Sequence, residues 1–276
     1  MVSQPTIAGV VLTLNEEHDL DRSLSSLHWC DELLVLDSGS VDSTSVIAAK
    51  YGARFITHIQ DSPFLITDQR NWALHNCDLK SNWVLFLDAD ESVGPSLRTE
   101  ISEFIQQPTD LNAIYLAPRF WFLGKWLKHI QNFPNWHPRL VRRGTVSFQG
   151  GVWETFSANA KTGYIKHPYE HYAFSKGLDN WIDRHKRYSD WEAYLTVSNH
   201  ENVNHQITLR RSIGRVILFK LWPLRPFLVL FNKLVWQLGI LDGMRGILYC
   251  FLVFTYEVMI VIKIIETKRK RLSLPL

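Results

Sequence analysis

At 276 residues, with 46% hydrophobic and 13% aromatic side chains, the chain carries enough apolar material for one large α/β domain, or such a domain with an appendage, and is not a disordered polypeptide. Its 3 cysteines, Cys30, Cys77 and Cys250, are far apart and in no CxxC spacing, which excludes a disulfide framework and a zinc finger and suits a reducing compartment. The net charge of +3 conceals an asymmetry: residues 205–276 carry 12 Lys/Arg against 3 Asp/Glu, or +9, and the remainder is −6. A basic tail on an acidic body suits a body that binds a metal and a tail that faces a polyanion.

The chain opens with MVSQPTIAGVVLTLNEE, which has no basic n-region and no long apolar h-region. No signal peptide is expected, and the catalytic part is expected to stay cytoplasmic. IAGVVLT (7–13) predicts a strand, and EEHDLDRSLSSLHW (16–29) a helix with Leu20, Leu24 and Leu27 on one face. ELLVLD (32–37) is the next strand, VDSTSVIAAKYG (41–52) a helix ended by Gly52, and ARFIT (53–57) a third strand. TDQRNWALHNC (67–77) predicts a helix with Thr67 as its N-cap, and WVLFL (83–87) the fourth strand. Such alternation implies a parallel sheet with right-handed crossovers, whose ligands sit beyond the carboxyl ends of the strands. The polar clusters at three of those ends are TLNEE, DSGSVDST and DADE.

Glycine-rich phosphate loops of the GxGxxG or GxxxxGK[ST] type are absent, which argues against a dinucleotide-binding dehydrogenase or a P-loop enzyme. Asp88 and Asp90, one residue apart after an apolar strand, can instead offer hard oxygen ligands to Mg²⁺ or Mn²⁺ while leaving positions for diphosphate oxygens. A capped turn is the plainer explanation of the same pair. His171 in EHYAF could complete a metal shell as neutral imidazole or serve as a structural histidine. Arg139 and Arg142 in HPRLVRR could neutralise a diphosphate or lie at the surface.

Beyond residue 204, Trp, Phe and Leu alternate with spaced Arg and Lys, which suits helices lying in a membrane interface better than a nucleic-acid groove. The longest run free of Asp, Glu, Lys and Arg there is Gly246 to Tyr256, 11 residues, whereas a spanning helix needs about 20. Extending it to Ile265 encloses Glu257 and Lys263, each costing about 2.5 to 3.5 kcal/mol near the bilayer centre. In-plane anchoring is the expectation, with a re-entrant hairpin or the core of a small helical subdomain as alternatives; the terminal KRKR favours an anionic membrane.

Taken in order and at their spacings, TLNEE, VLDSGSVDST, DQRNWAL and WVLFLDADE resemble the inverting glycosyltransferases of family 2, over about residues 5–155. HPRLVRR, VWE (152–154), EHYAF, RHKRYSDWEA and GILDGMRG extend the likeness towards the branch containing lipopolysaccharide inner-core β-1,4-glucosyltransferases. The resemblance implies a GT-A, Rossmann-like nucleotide-sugar-binding α/β domain, here residues 1–200, followed by a basic amphipathic helical membrane-associating region, residues 201–276. Thr13, Asn15, Glu16, Asp37, Arg70, Asp88, Arg139 and Arg142 would contact the nucleotide-sugar. Asp37 would face the nucleobase, although turn capping is the plainer role for it and for Asp42. Asp88, Asp90 and His171 would hold a divalent metal, Mg²⁺ or Mn²⁺.

An inverting transfer also needs a carboxylate that takes the proton of the acceptor hydroxyl. Glu154 is the candidate, in a VWE triplet where the similar enzymes have Val-His-Glu; Glu91 is the rival, its plainer role being an acid at a helix start. The implied activity is metal-dependent hexose transfer from a nucleotide-sugar, UDP-linked by expectation, to a saccharide of lipopolysaccharide or another membrane glycolipid on the inner face of the cytoplasmic membrane. Transfer to polyprenyl phosphate and a non-catalytic sugar-nucleotide-binding scaffold are the alternatives.

Overall fold

The structure, a computed structural model, describes residues 5–61, 64–150, 154–198 and 221–276. It resolves into two compact units, the first comprising Met1–Trp121 and Phe133–Ser175, the second Phe122–Asn132 and Lys176–Leu276.

In the first unit, β1 (Ile7–Thr13) is buried along its whole length, as a near-continuous apolar run between two parallel neighbours should be. α1 (Leu20–Ser26), β2 (Glu32–Asp37), α2 (Thr44–Lys50), β3 (Arg54–Thr57), α3 (Ile66–Asn76) and β4 (Trp83–Asp88) follow in the expected alternation. α1 is shorter than its apolar pattern predicts, yet Leu20, Leu24 and Leu27 are each 0% exposed. Burying each stabilises by about 1.5–3 kcal/mol. Thr67 is not the N-cap of α3: that position is Leu65, in extended backbone, and Thr67 is already helical. The Gln60 side chain takes over the entry to the helix by bonding both the N–H and the C=O of Leu65.

The remaining elements of this unit are β5 (Glu91–Ser92), α4 (Pro95–Gln106), β6 (Ala113–Leu116), β7 (Pro118–Phe122), then β9 (His137–Arg142), β10 (Phe148–Gln149), β11 (Thr155–Phe156), β12 (Thr162–Tyr164) and β13 (Tyr169–His171), with β8 (Lys125–Trp126) falling in the second unit. The central sheet has the order β12-β6-β9-β4-β1-β2-β3. It is mixed rather than all parallel, because β9 enters antiparallel to both β4 and β6. That insertion carries Arg139 alongside the β4 strand. β13 pairs parallel with β7 and antiparallel with β5, His171 opposite Glu91. Side-chain alternation splits the core into two layers, Val11, Leu85 and Leu87 on one face of the sheet and Val10, Leu12 and Phe86 on the other.

The second unit is mainly helical: α5 (Gly177–Ser198), α6 (Arg225–Phe231) and α7 (Gly243–Arg271). α5 packs along α7 through Ala193, Val197, Ile260 and Ile264. Asp242, at the N-cap of α7 and 3% exposed, accepts the backbone N–H groups of Lys128, His129 and Ile130 and pairs with the His129 imidazole. These bonds explain why residues 122–132 and α5 group with the C-terminal segment, in place of a division at residue 200. That boundary itself lies outside the described residues. Although its charge-free run is short, Gly239–Arg271 is by length and composition long and apolar enough to cross a membrane. The two charges that argued against a span are partnered within the unit, Glu257 by Arg225 and Lys263 by Asp190.

Candidate active site

The loops leaving β1 and β2 are laced together by short polar side chains. The Thr13 hydroxyl donates to Asp37 (2.8 Å), and Asp37 also accepts the N–H groups of Gly39 (2.9 Å) and Ser40 (2.7 Å) and the Ser40 hydroxyl. Gly39 sits at φ +101°, which a side chain would disfavour. Asn15 adopts left-handed backbone (φ 56°), tolerable for Asn, and its side-chain oxygen accepts Val41 N–H while its own N–H donates to Ser40. Glu16 N–H donates to the Thr44 hydroxyl, and Asp42 accepts from Glu17 and Thr44, one position before Ser43, the N-cap of α2.

Asp37 is therefore the hub of its own loop. A carboxylate has about four acceptor sites, and four donors already use them, so the nucleobase role assigned to Asp37 has no free acceptor in this conformation. Asp37→Ala leaves buried donors unmatched and is expected to destabilise the protein by about 1–3 kcal/mol. Urea denaturation measures this, and Asp37→Asn, which keeps one acceptor oxygen, should lose less.

At the carboxyl end of β4, two arginines gather three carboxylates. Arg70 on α3, 1% exposed, donates to Asp88 (3.0 Å) and to Glu154. Arg139 on β9, 3% exposed, donates to Glu91 (2.7 Å), Asp88 (3.2 Å) and Glu154 (3.3 Å). Glu91 closes the ring by accepting Asp88 N–H at 3.0 Å. Burial opposes ionisation of Asp88, but Arg139 and Arg70 outweigh it and hold its pKa at about 2. Glu91 is wholly buried, and there desolvation outweighs Arg139, so its pKa is raised. The Glu154 carboxylate has one oxygen fixed between the two guanidinium groups, while the other is buried and, among the described residues, without a hydrogen-bond partner.

This arrangement revises several expectations. Arg70 and Arg139 are buried and hold carboxylates. Asp88 accepts from Arg70 on one oxygen and from Arg139 on the other. Glu91 does not begin a helix, since α4 starts at Pro95 with Gly94 as cap; it is the strand residue that anchors Arg139. Arg142 is not in the cluster: it pairs opposite Trp83 at the amino end of β4, lies over that ring and donates to the Thr109 carbonyl. Trp153, the departure within VWE, lies outside the described residues.

Asp90 and His171 form a separate pair at the rim, Oδ2 to Nε2 3.5 Å. Burial disfavours the imidazolium, but Asp90, Glu91 and Asp88 outweigh that and raise the His171 pKa. Among the described residues, no group of three His, Cys, Asp or Glu side chains is gathered closely enough to hold a metal ion. A hard cation that takes one or two protein ligands and completes its shell with waters and substrate phosphates still fits Asp90 and His171.

Two contributors were missed. Gln69, 0% exposed, ties α3 to Ser38 and to the His58 carbonyl, fixing the β2 and β3 loop ends; its place beside Arg70 in DQRNWAL was the available signal. Tyr169, also 0% exposed, lies beneath the Arg139 guanidinium, 5.4 Å from ring centroid, and nothing in its sequence surroundings pointed to it.

The chain is similar to several known proteins. The lipopolysaccharide core biosynthesis glycosyltransferase LpsC of Rhizobium meliloti (strain 1021) is 25% identical over 264 residues, covering 91% of this chain and 92% of that protein. The crystal structure of S. aureus TarS 1–349 superposes with a TM-score of 0.50 at 15% identity, covering 94% of this chain and 89% of that one, and shares the GT-A fold. Glucosyl-3-phosphoglycerate synthase of Mycobacterium tuberculosis, solved with Mn²⁺, UDP and glucosyl-3-phosphoglycerate, matches at a TM-score of 0.38 and 19% identity; the match covers 50% of this chain and 57% of the synthase. The model of glycosyl transferase family 2 matches residues 10–172. With that match over more than half its length, the α/β fold and the carboxylate cluster at the end of β4, the chain belongs to glycosyl transferase family 2 and is a glycosyltransferase.

Proposed function

We propose that the protein transfers a hexose, with inversion and with a divalent metal, from a nucleotide-sugar to a saccharide of lipopolysaccharide or a similar membrane glycolipid. The observation that carries the reading is the half-satisfied Glu154 carboxylate: one oxygen is clamped by Arg70 and Arg139, and the buried second oxygen has no donor among the described residues. A buried acceptor without a partner is costly. An acceptor-sugar hydroxyl would supply the missing proton, and an oriented carboxylate is what a general base requires.

Arg70 and Arg139 orient that base and at the same time hold Asp88 at the strand end. The laced loops around Thr13, Asn15, Glu16 and Asp37 form the floor on which a nucleoside would rest. Asp90 and His171 would hold the metal, which, when bound, supplies positive charge to the leaving diphosphate. UDP as the donor nucleotide and the lipopolysaccharide acceptor draw support from the sequence resemblance and from the likeness to LpsC along nearly the whole chain.

Asp90→Ala tests the reading. Transfer from UDP-hexose to a lipopolysaccharide core acceptor, followed by product mass spectrometry with Mn²⁺, should fall about 10²-fold or more, and thermal denaturation reads separately the smaller cost of losing the pairing with His171. Metal binding must displace the His171 proton, so Mn²⁺ affinity should strengthen as pH rises through the raised His171 pKa. Wild-type transfer by Asp90→Ala at every Mn²⁺ concentration would sink the metal assignment.

A further inference from the structure

Among its described residues, the second unit presents an apolar surface that its own folding does not cover. On α7, Gly246, Cys250, Glu257, Ile260 and Ile264 face inward, and positions 248, 251, 255, 258, 262 and 265 form the opposite stripe, at the three-and-four spacing of one helix face. Leu248, Phe251, Ile262 and Ile265 on that stripe are 44–57% exposed. α6 and the turn after it add Phe227, Phe231 and Trp236, at 64%, 62% and 81% exposure. Phe227 meets Phe254 of α7 edge to face, so the two helices present one continuous apolar face.

The charges on these helices are sorted. Glu257 turns inward to Arg225, which also reaches Glu192, and Lys263 turns to Asp190 and to the Lys186 carbonyl. Asp242 is consumed by backbone N–H groups and His129, and Glu266 by Lys270. Between Gly246 and Ile265 the outward stripe thus carries no charge. It is bounded by exposed Arg245 at one end and by Lys268, Arg269, Lys270 and Arg271 at the other.

We infer that α6 and the outward stripe of α7 dock in-plane on an anionic lipid bilayer, the aromatic side chains entering the interface and the basic ends meeting lipid headgroups. This rests on the reading above that the acceptor saccharide is carried by a membrane glycolipid. The chemistry is that of an interfacial helix: large apolar and aromatic side chains on one face, with Lys and Arg at its margins. A second copy of the chain is a poorer occupant. Pairing two α7 stripes in parallel sets Lys268–Arg271 against its own copy, and pairing them antiparallel sets it against Arg245, so basic groups meet in both cases. An anionic surface complements both ends.

The test is flotation of the purified full chain with vesicles of phosphatidylcholine alone or mixed with phosphatidylglycerol. Binding should require the anionic lipid and weaken as salt is raised. The triple variant Arg245→Gln, Lys268→Gln, Arg269→Gln should bind about a hundredfold less tightly, at about 1 kcal/mol per basic side chain near such a surface. Trp236→Ala should weaken binding to the anionic vesicles independently of salt. Circular dichroism and transfer to a water-soluble core oligosaccharide, both expected to be unchanged, show that these variants are folded. Absence of flotation, a dimer in solution that Trp236→Ala dissolves, or resistance to extraction by alkaline carbonate, which marks a span, would each overturn the inference. Absence of wild-type flotation with transfer intact tells against the surface alone; wild-type flotation without transfer to any core acceptor tells against the proposed function.

Discussion

Replacing Arg139 with alanine is expected to destabilise the protein by about 3–5 kcal/mol, the usual cost of removing one partner from a buried ion-pair network, and to abolish transfer. Arg139 donates to Glu91, Asp88 and Glu154, so its loss leaves Glu91, at 0% exposure, without a counter-ion. The variant's deficit should depend on pH, and the sign follows from Glu91. Its folded-state pKa is already raised and rises further when Arg139 is removed. A carboxyl that is raised on folding favours the folded state while protonated and withdraws that support as pH rises through the folded pKa. Urea denaturation should therefore find the variant's deficit larger at pH 8 than at pH 5. The wild type behaves oppositely at the acid end. Asp88, lowered from 3.8 to about 2, contributes stability above pH 4 that is lost as pH falls towards 2, moderated because its side chain is 35% exposed and screened. Arg139→Met with Glu91→Met removes both charges and should recover most of the stability without recovering transfer. A pH-independent deficit, or full activity in Arg139→Ala, would show that the network does not organise the site.

Glu154→Gln is expected to lower the rate of transfer by about 10²–10⁴-fold, the contribution of a positioned general base, on top of a loss of stability from removing one charge of the buried network, with little change in binding of the nucleotide. The amide keeps a carbonyl oxygen for Arg70 and Arg139 but cannot accept a proton from the sugar hydroxyl. Single-turnover transfer at saturating donor and acceptor measures the chemical step without product release, and titration with UDP measures donor binding separately. Glu91→Gln is the control: its carboxylate has both oxygens occupied, by Arg139 and by Asp88 N–H, so its cost should appear in denaturation more than in turnover. If the two variants exchanged these signatures, the base would be Glu91.

Much of the sheet was legible in sequence. β1 and β2 occupy the residues that their apolar runs predict, and β4 runs one residue beyond WVLFL, through Asp88. These strands are central and covered on both faces, so burial leaves a continuous apolar signature that polar flanks delimit. The helix boundaries were less legible, since α1 and α3 begin where loop hydrogen bonds dictate and not where apolar spacing starts. The antiparallel entry of β9 had no local signal, because a buried strand reads the same in either direction.

What the sequence by itself determined is the family, the polar clusters at the ends of β1, β2 and β4, and a C-terminal segment that is both apolar and basic. All are properties of short stretches, set by side-chain type and spacing. The tertiary structure alone decided which side chains share charge. Arg70 and Glu154 are 84 positions apart, and Arg139 and Asp88 51, and they meet because α3, β4 and β9 converge at one strand end. That convergence made Asp88 an arginine partner, moved Glu91 from a helix start to the buried centre, and set Arg142 at the far end of the sheet. Pairing between distant charges depends on strand order and direction, which are fixed by packing the whole sheet and not by any one segment.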